Sequence, residues 1–294
     1  MSQINYQQQR DTIEYQDCTI ISHDHLAGDQ HLLRLDAPAI AATAVAGSFV
    51  HLTVAAALPL RRPISIMRVD RAAGWIDLLY KRLGSGTTLL TERRVGDKLS
   101  LIGPVGNGFT MLPDRRRPLL IGGGVGMPPL LFLADLLRQQ GGYQTTVLLG
   151  SEVPFPFPLK PSRLLLPALP CEVMATMPLL DDWEIPCRLA SLQGYPGCFQ
   201  GYVTELARHW LKALDSDTLA GVAIYSCGPQ AMLRAVAALA AEFNLPCQVS
   251  LEEFMACGIG GCAGCVVEVQ EPEGRAMRRV CVDGPVFDAK AVYA

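Results

Sequence analysis

Leu119-Leu-Ile-Gly-Gly-Gly-Val-Gly-Met-Pro-Pro-Leu130 runs from an apolar stretch through a glycine loop into residues 130–138, whose apolar spacing is helical. A strand that feeds a helix through such a loop is the opening unit of a parallel α/β sheet. The alternation continues downstream. Residues 145–149 read as a strand, 171–176 as a weaker one, 201–211 as a helix and 222–226 as a further strand, and Pro229 opens an alanine-rich helix that runs to Phe243. Residues 152–169, rich in proline, read as an irregular excursion without assigned function.

Upstream of Pro118 the texture differs. Short runs alternate apolar and polar at 18–22, 31–35 and 48–54, and Gly96-Asp97 turns the chain into another such run at 98–102. Glycine and proline punctuate them, which is the pattern of an antiparallel β-barrel. The fold class is therefore a β-barrel plus an α/β domain. Three segments follow: a barrel over 10–114, an α/β domain over 115–245, and a cysteine-rich tail over 246–294.

Composition narrows the function classes. At 294 residues, half of them hydrophobic, the chain has ample core for two domains. The 25 basic and 28 acidic residues leave a net charge of −3, which argues against nucleic acid as a partner. The one dense basic patch, Arg115-Arg-Arg117, reads as a solvated loop. The polar N-terminal stretch has no apolar core of a signal peptide, and no apolar run reaches the roughly 18 residues of a membrane span. No membrane association and a cytoplasmic location are expected.

The glycine loop is also a candidate site. Gly122, Gly123, Gly124 and Gly126 permit a tight turn and close approach of a pyrophosphate, with the positive end of a helix behind it. Alone, such a loop is a weak signal, since an ordinary strand-to-helix turn can also be rich in glycine. Tyr225-Ser-Cys-Gly-Pro229 likewise ends a strand and starts a helix, so Cys227, Gly228 and Pro229 lie where a nicotinamide would rest at the carboxyl edge of a sheet. Each motif makes the other harder to dismiss.

The tail carries the most specific pattern. Glu252-Glu-Phe-Met-Ala-Cys-Gly-Ile-Gly-Gly-Cys-Ala-Gly-Cys265 holds Cys257, Cys262 and Cys265, and Cys281 follows sixteen positions after Cys265. C-x4-C-x2-C with a distant fourth cysteine is the plant-type ligand spacing of a [2Fe–2S] cluster, in which two irons each need two protein thiolates. Zinc would also accept four thiolates but would leave the two upstream turns unexplained. The other six cysteines of the ten are scattered.

In the barrel half, Arg62-Pro-Ile-Ser65 places a guanidinium beside a hydroxyl, which suits a phosphate or a flavin edge. Leu79-Tyr-Lys81 and Gly84-Ser-Gly-Thr87 follow it. The succession of these motifs with Gly103-Pro-Val-Gly-Asn-Gly-Phe109, the glycine loop and Cys-Gly-Pro resembles the ferredoxin–NADP reductase superfamily. The tail, closing on Arg279-Val-Cys-Val-Asp-Gly-Pro-Val-Phe287, resembles the electron-transfer subunits of type B dihydroorotate dehydrogenase, over nearly the whole chain from Cys18.

That resemblance implies FAD between barrel and α/β domain, NAD at the glycine loop and a [2Fe–2S] cluster on Cys257, Cys262, Cys265 and Cys281. Arg62, Pro63, Ile64 and Ser65 would contact FAD, with Leu79, Tyr80, Lys81, Gly86 and Thr87 along its ribityl and pyrophosphate parts. No residue of this chain would act as a catalytic acid or base. A catalytic dihydroorotate dehydrogenase subunit, in a two-plus-two heterotetramer, would supply electrons for NAD+ reduction in pyrimidine (UMP) biosynthesis, and the chain alone would show diaphorase activity. NAD in preference to NADP rests on the resemblance alone. Two departures stand out: Gln193-Gly-Tyr195 replaces the family's Asp-Gly-Ser, and Ala46-Gly-Ser-Phe49 its Pro-Gly-Gln-Phe. Other readings are an NAD(P)H-dependent flavin and iron–sulfur reductase for a ferredoxin, sulfide or oxygenase system, and a cluster-bearing redox sensor.

Overall fold

A computed structural model describes residues 12–55, 58–167 and 169–293; the start of the barrel segment at residue 10 lies outside them. Six antiparallel strands, β1 (Glu14–Leu26), β2 (Gln30–Asp36), β3 (Phe49–Leu52), β4 (Arg62–Asp70), β5 (Trp75–Lys81) and β6 (Lys98–Val105), close a barrel in the order β1-β2-β5-β4-β3-β6. The period-two pattern explains the closure. Leu33 faces Leu78 and Leu35 faces Ile76 across β2 and β5, and all four are fully buried. Each such side chain stabilises the fold by about 1.5–3 kcal/mol relative to exposure. Between them Arg34 and Asp77 point the other way and form a two-pronged ion pair, at 2.7 and 2.9 Å, beneath Trp75. Two short helices, α1 (Pro38–Thr43) and α2 (Ser85–Thr91), interrupt the strands.

The α/β part begins with β7 (Arg117–Gly123), passes through α3 (Met127–Gln140) and returns as β8 (Thr146–Gly150), parallel to β7. Residues Pro118 to Gly123 are all buried, as a strand covered on both faces requires. The strands Phe199–Gln200, Cys187–Ser191, β8, β7, Val222–Cys227 and Cys247–Ser250 lie side by side in that order. The helix Gln230–Glu242 buries Leu233, Val236, Leu239 and Ala240 along one stripe.

One sequence expectation shifts. Within 171–176 only Ala175–Thr176 is a strand, paired with Lys160–Pro161 outside the main sheet. The strand beside β8 is Cys187–Ser191, whose apolar run is broken by Arg188. That arginine is buried and donates to the Cys187 and Leu164 carbonyls at 2.7 and 2.8 Å, so a charge in the strand marks hydrogen bonding and not a loop.

The chain forms two compact units. One contains the barrel, to Phe109, together with Ser250–Phe287; the other contains Thr110–Val249 and the residues from Asp288. Among the described residues no helix is long and apolar enough to cross a membrane.

Candidate functional site

The four spaced cysteines converge in the barrel-containing unit. A loop carries Cys257, Cys262 and Cys265, and the antiparallel hairpin Val266–Glu271 and Gly274–Arg279 returns the chain so that Cys281 reaches Cys265. The Val280 N–H donates to the Cys265 carbonyl at 3.0 Å, and the Cys281 N–H points at the Cys265 Sγ at 3.5 Å. Thiol-to-thiol contacts join Cys257 to Cys262 and Cys281 to Cys265. The donors therefore fall into two pairs, the arrangement two irons of one cluster require. Cys265 and Cys281 are 4% and 3% exposed, whereas Cys262 is exposed and Cys257 half-buried, so one pair faces inward and the other solvent.

Electrostatics prepares Cys257. Burial works to raise the Cys257 thiol, yet the N–H groups of Ile259, Cys262 and Gly261 and the Cys262 thiol pull it down to about 6. Burial, then the hydrogen bond and charge of Cys265 and the charge of Cys257, push the Cys281 thiol up instead. The loop achieves this curvature with left-handed Gly258 and Gly260 and, unexpectedly, Ala263 at φ 54°.

The loop is seated on the barrel. His51, in the middle of β3, is fully buried with its ring nitrogens turned to the main chain of Cys257, Arg61 and Met255 without a well-formed hydrogen bond. A side chain at Gly258 would lie 2.5 Å from its Nδ1. Asn107 donates from Nδ2 to the Val282 and Asp283 carbonyls at 3.0 and 2.9 Å, fastening the chain beyond Cys281. Arg279 donates to the Gly260 carbonyl at 3.0 Å and pairs with Asp283.

The candidate flavin residues share the same unit. Arg62 opens β4, where Pro63 faces His51 and Ser65 faces Phe49 across β3, and Ile64 is buried. A side chain at Gly86 would collide with the Arg62 guanidinium, so the structure brings these two together. The Thr87 hydroxyl receives the Leu83 and Gly84 N–H groups at 2.9 and 3.2 Å, which assigns it to holding the turn before α2. Leu79 and Tyr80 are buried in β5, and Lys81 is partly exposed at its end. The Tyr80 hydroxyl is engaged by His23 Nε2 at 2.8 Å.

In the second unit the two glycine-bearing turns interlock. Gly122 at the end of β7 is the register partner of Cys227, and Ser226 donates to the Ile121 carbonyl at 2.8 Å. A side chain on Gly126 would strike the Cys227 carbonyl; one on Gly228 would come within 3.2 Å of the Gly123 main chain. Gly124, at φ 54°, opens onto free space, and Pro229 approaches Gly123. From β7 the chain proceeds to β8 and Cys187–Ser191 on one side, while Val222–Cys227 adds on the other. The two turns thus flank a topological switch point at the carboxyl ends of parallel strands, where such sheets bind nucleotides. Pro128 and Pro129 carry no N–H, so the free donors at this helix start come from the loop. The altered Gln193-Gly194-Tyr195 stretch follows Cys187–Ser191, with Tyr195 edge-on to Phe155.

Comparison with known proteins now decides the family. A family model described as the iron–sulfur cluster binding domain of dihydroorotate dehydrogenase B matches residues 252–293. The dihydroorotate dehydrogenase B (NAD(+)) electron transfer subunit of Geobacillus sp. (strain WCH70) is 34% identical over 285 residues, spanning 93% of this chain and 96% of its own. The chain belongs to this family of electron transfer subunits. The Bacillus caldolyticus subunit of the same name is 37% identical over 258 residues, 84% of this chain and 86% of its own. Two solved structures share the fold. A chain of the NADH-dependent reduced ferredoxin–NADP oxidoreductase has a TM-score of 0.75 at 24% identity, over 94% of this chain and 89% of that one. Phthalate dioxygenase reductase has a TM-score of 0.58 at 16% identity, over 90% and 76%. In this electron transfer subunit the supporting role of His51, Asn107 and Arg279 under the cysteine loop is what sequence reasoning missed. Asn107 and Arg279 had a signal, their places inside the Gly-Pro-Val-Gly-Asn-Gly and Arg-Val-Cys-Val-Asp runs, and His51 had none.

Proposed function

We propose that this chain receives electrons from a dihydroorotate-oxidising partner subunit and delivers them to NAD+, through a [2Fe–2S] cluster on Cys257, Cys262, Cys265 and Cys281 and through FAD. The observation that carries the reading is the two-pair cysteine loop, built into one unit with the Arg62–Gly86 motif, in a chain whose other unit holds a nucleotide-type switch point. Bound there, cluster and flavin supply one-electron relay and its conversion to hydride transfer. The chain's own residues position and insulate. Arg62 offers a fixed guanidinium to a phosphate, Gly122 to Gly126 let a pyrophosphate approach the main chain, and His51 and Asn107 hold the cysteine loop. No side chain is needed as acid or base, because hydride transfer depends on ring placement.

Three functional segments, 10–114, 115–245 and 246–294, serve flavin, NAD and cluster in this reading. The exposed Cys262 lies in a loop with Phe254, 94% exposed, and exposed Ile259, an apolar rim suited to partner docking. A cytoplasmic assembly of two copies of each subunit completes the proposal. Purified with flavin and cluster, the chain is expected to reduce dyes with NADH and to oxidise dihydroorotate only when the partner is added. Dihydroorotate oxidation by the chain alone would overturn the subunit reading.

A further inference from the structure

Three of the chain's five histidines gather at one end of the barrel, away from the cysteine loop in sequence and unused by the electron path. His25 and His31 are direct partners across β1 and β2, with ring centroids 4.8 Å apart. Asp29, in the turn between these strands, brings its Oδ1 within 3.9 Å of His25 Nε2. One ligand atom from each of His25, Asp29 and His31 lies within 4.8 Å of the others.

We propose that His25, Asp29 and His31 form a binding site for a divalent transition-metal ion of the zinc class. Two imidazoles and a carboxylate are the donor set such ions take, with a fourth position left for water. Tetrahedral zinc sets adjacent ligand atoms roughly 3.4 Å apart at its usual bond lengths. The His25 side chain is 69% exposed and gives the ion its entry.

The surroundings fix the other two ligands. Asp29 adopts φ 59°, and its carbonyl accepts the Arg82 N–H at 3.0 Å while its Oδ2 accepts from Arg82 Nε at 2.9 Å. That leaves Oδ1 for the ion. His31 is buried and stacks on Tyr80 at 5.2 Å between centroids. His23 is excluded as a ligand. Its Nδ1 faces the Arg93 carbonyl, which can only accept, so Nδ1 carries the proton and Nε2 accepts from the Tyr80 hydroxyl.

The test is calorimetric titration of the flavin- and cluster-loaded chain with Zn2+ near neutral pH, with iron content measured before and after. The wild-type chain is expected to bind one equivalent at micromolar concentrations with its iron retained. His25→Ala and Asp29→Asn, both at accessible positions, should each weaken binding about tenfold or more. Absence of binding, equal binding in either variant, or uptake that tracks iron loss and so reports the cysteine loop, would each overturn the site.

Discussion

Gly258→Ala should loosen the cysteine loop, and the structure sets the size of the effect. Gly258 sits at φ 69°, where an L-residue costs about 1–2 kcal/mol. The new methyl would also lie 2.5 Å from His51 Nδ1 and 3.0 and 3.2 Å from two ring carbons. His51 is fully buried in β3 and has nowhere to swing, so the overlap adds a further overpacking cost of about 1–3 kcal/mol. Together these favour loop opening by about 2–5 kcal/mol, more than tenfold at about 1.4 kcal/mol per decade. The assay is the rate at which a chelator removes iron from the oxidised holoprotein, followed by visible absorbance. The double variant His51→Ala/Gly258→Ala separates the two contributions. With the ring gone the steric part vanishes and the backbone part stays, giving a coupling energy of about 1–3 kcal/mol. Iron loss from Gly258→Ala at the wild-type rate, or strict additivity in the double variant, would refute the claim that His51 is the seat of the loop.

Gly126→Ala drives a methyl into the Cys227 carbonyl and the rigid main chain around it, so the two turns must part. NADH-dependent dye reduction should show KM raised about tenfold with flavin and iron content unchanged; unaltered kinetics would remove these turns from the NAD site. In the same unit Asp181 is buried, which alone would raise its carboxyl, but the Ser162 hydroxyl at 2.6 Å and Arg163 hold it below the usual range. Its stabilisation is therefore present above the unfolded value of about 3.9 and fades as pH falls through the lower folded value. Asp181→Asn should speed hydrogen exchange at the Arg163 amide near neutral pH, by the equivalent of about 1–3 kcal/mol, and the difference should shrink in acid; a gap constant with pH would count against it.

How much of this was legible follows from what each feature depends on. The barrel strands and β7 to β8 announce themselves because burial of one or both faces writes a period into the chain. The cysteine ligands are legible because a cluster fixes the spacing of three of them within one tight loop. Cys187–Ser191 was not, since a buried arginine whose Nη atoms donate to carbonyls looks, in sequence, like a solvated one. His51 was not, because a histidine within an apolar strand carries no mark of the loop it will meet some two hundred residues later. His25 and His31 were not, because only the register of β1 on β2 makes them neighbours.

The gap between Cys265 and Cys281 shows how the two kinds of information join. As sequence it is only a distance of sixteen positions. As structure it is a hairpin in which Val266 faces Arg279 and Glu271 faces Gly274, so the two cysteines stand at the open end of paired strands. The separation is therefore set by register and not by loop slack. Removing one residue from each strand would preserve the pairing, whereas removing a single residue would turn every side chain on that strand over and carry Cys281 away from Cys265. The number of residues in the gap can vary within that rule, and the meeting of the two sulfurs cannot. What identifies the inner half of the cysteine site is thus the alternation Val-Val-Glu-Val-Gln-Glu271 and its partner strand, as much as the cysteine that follows them.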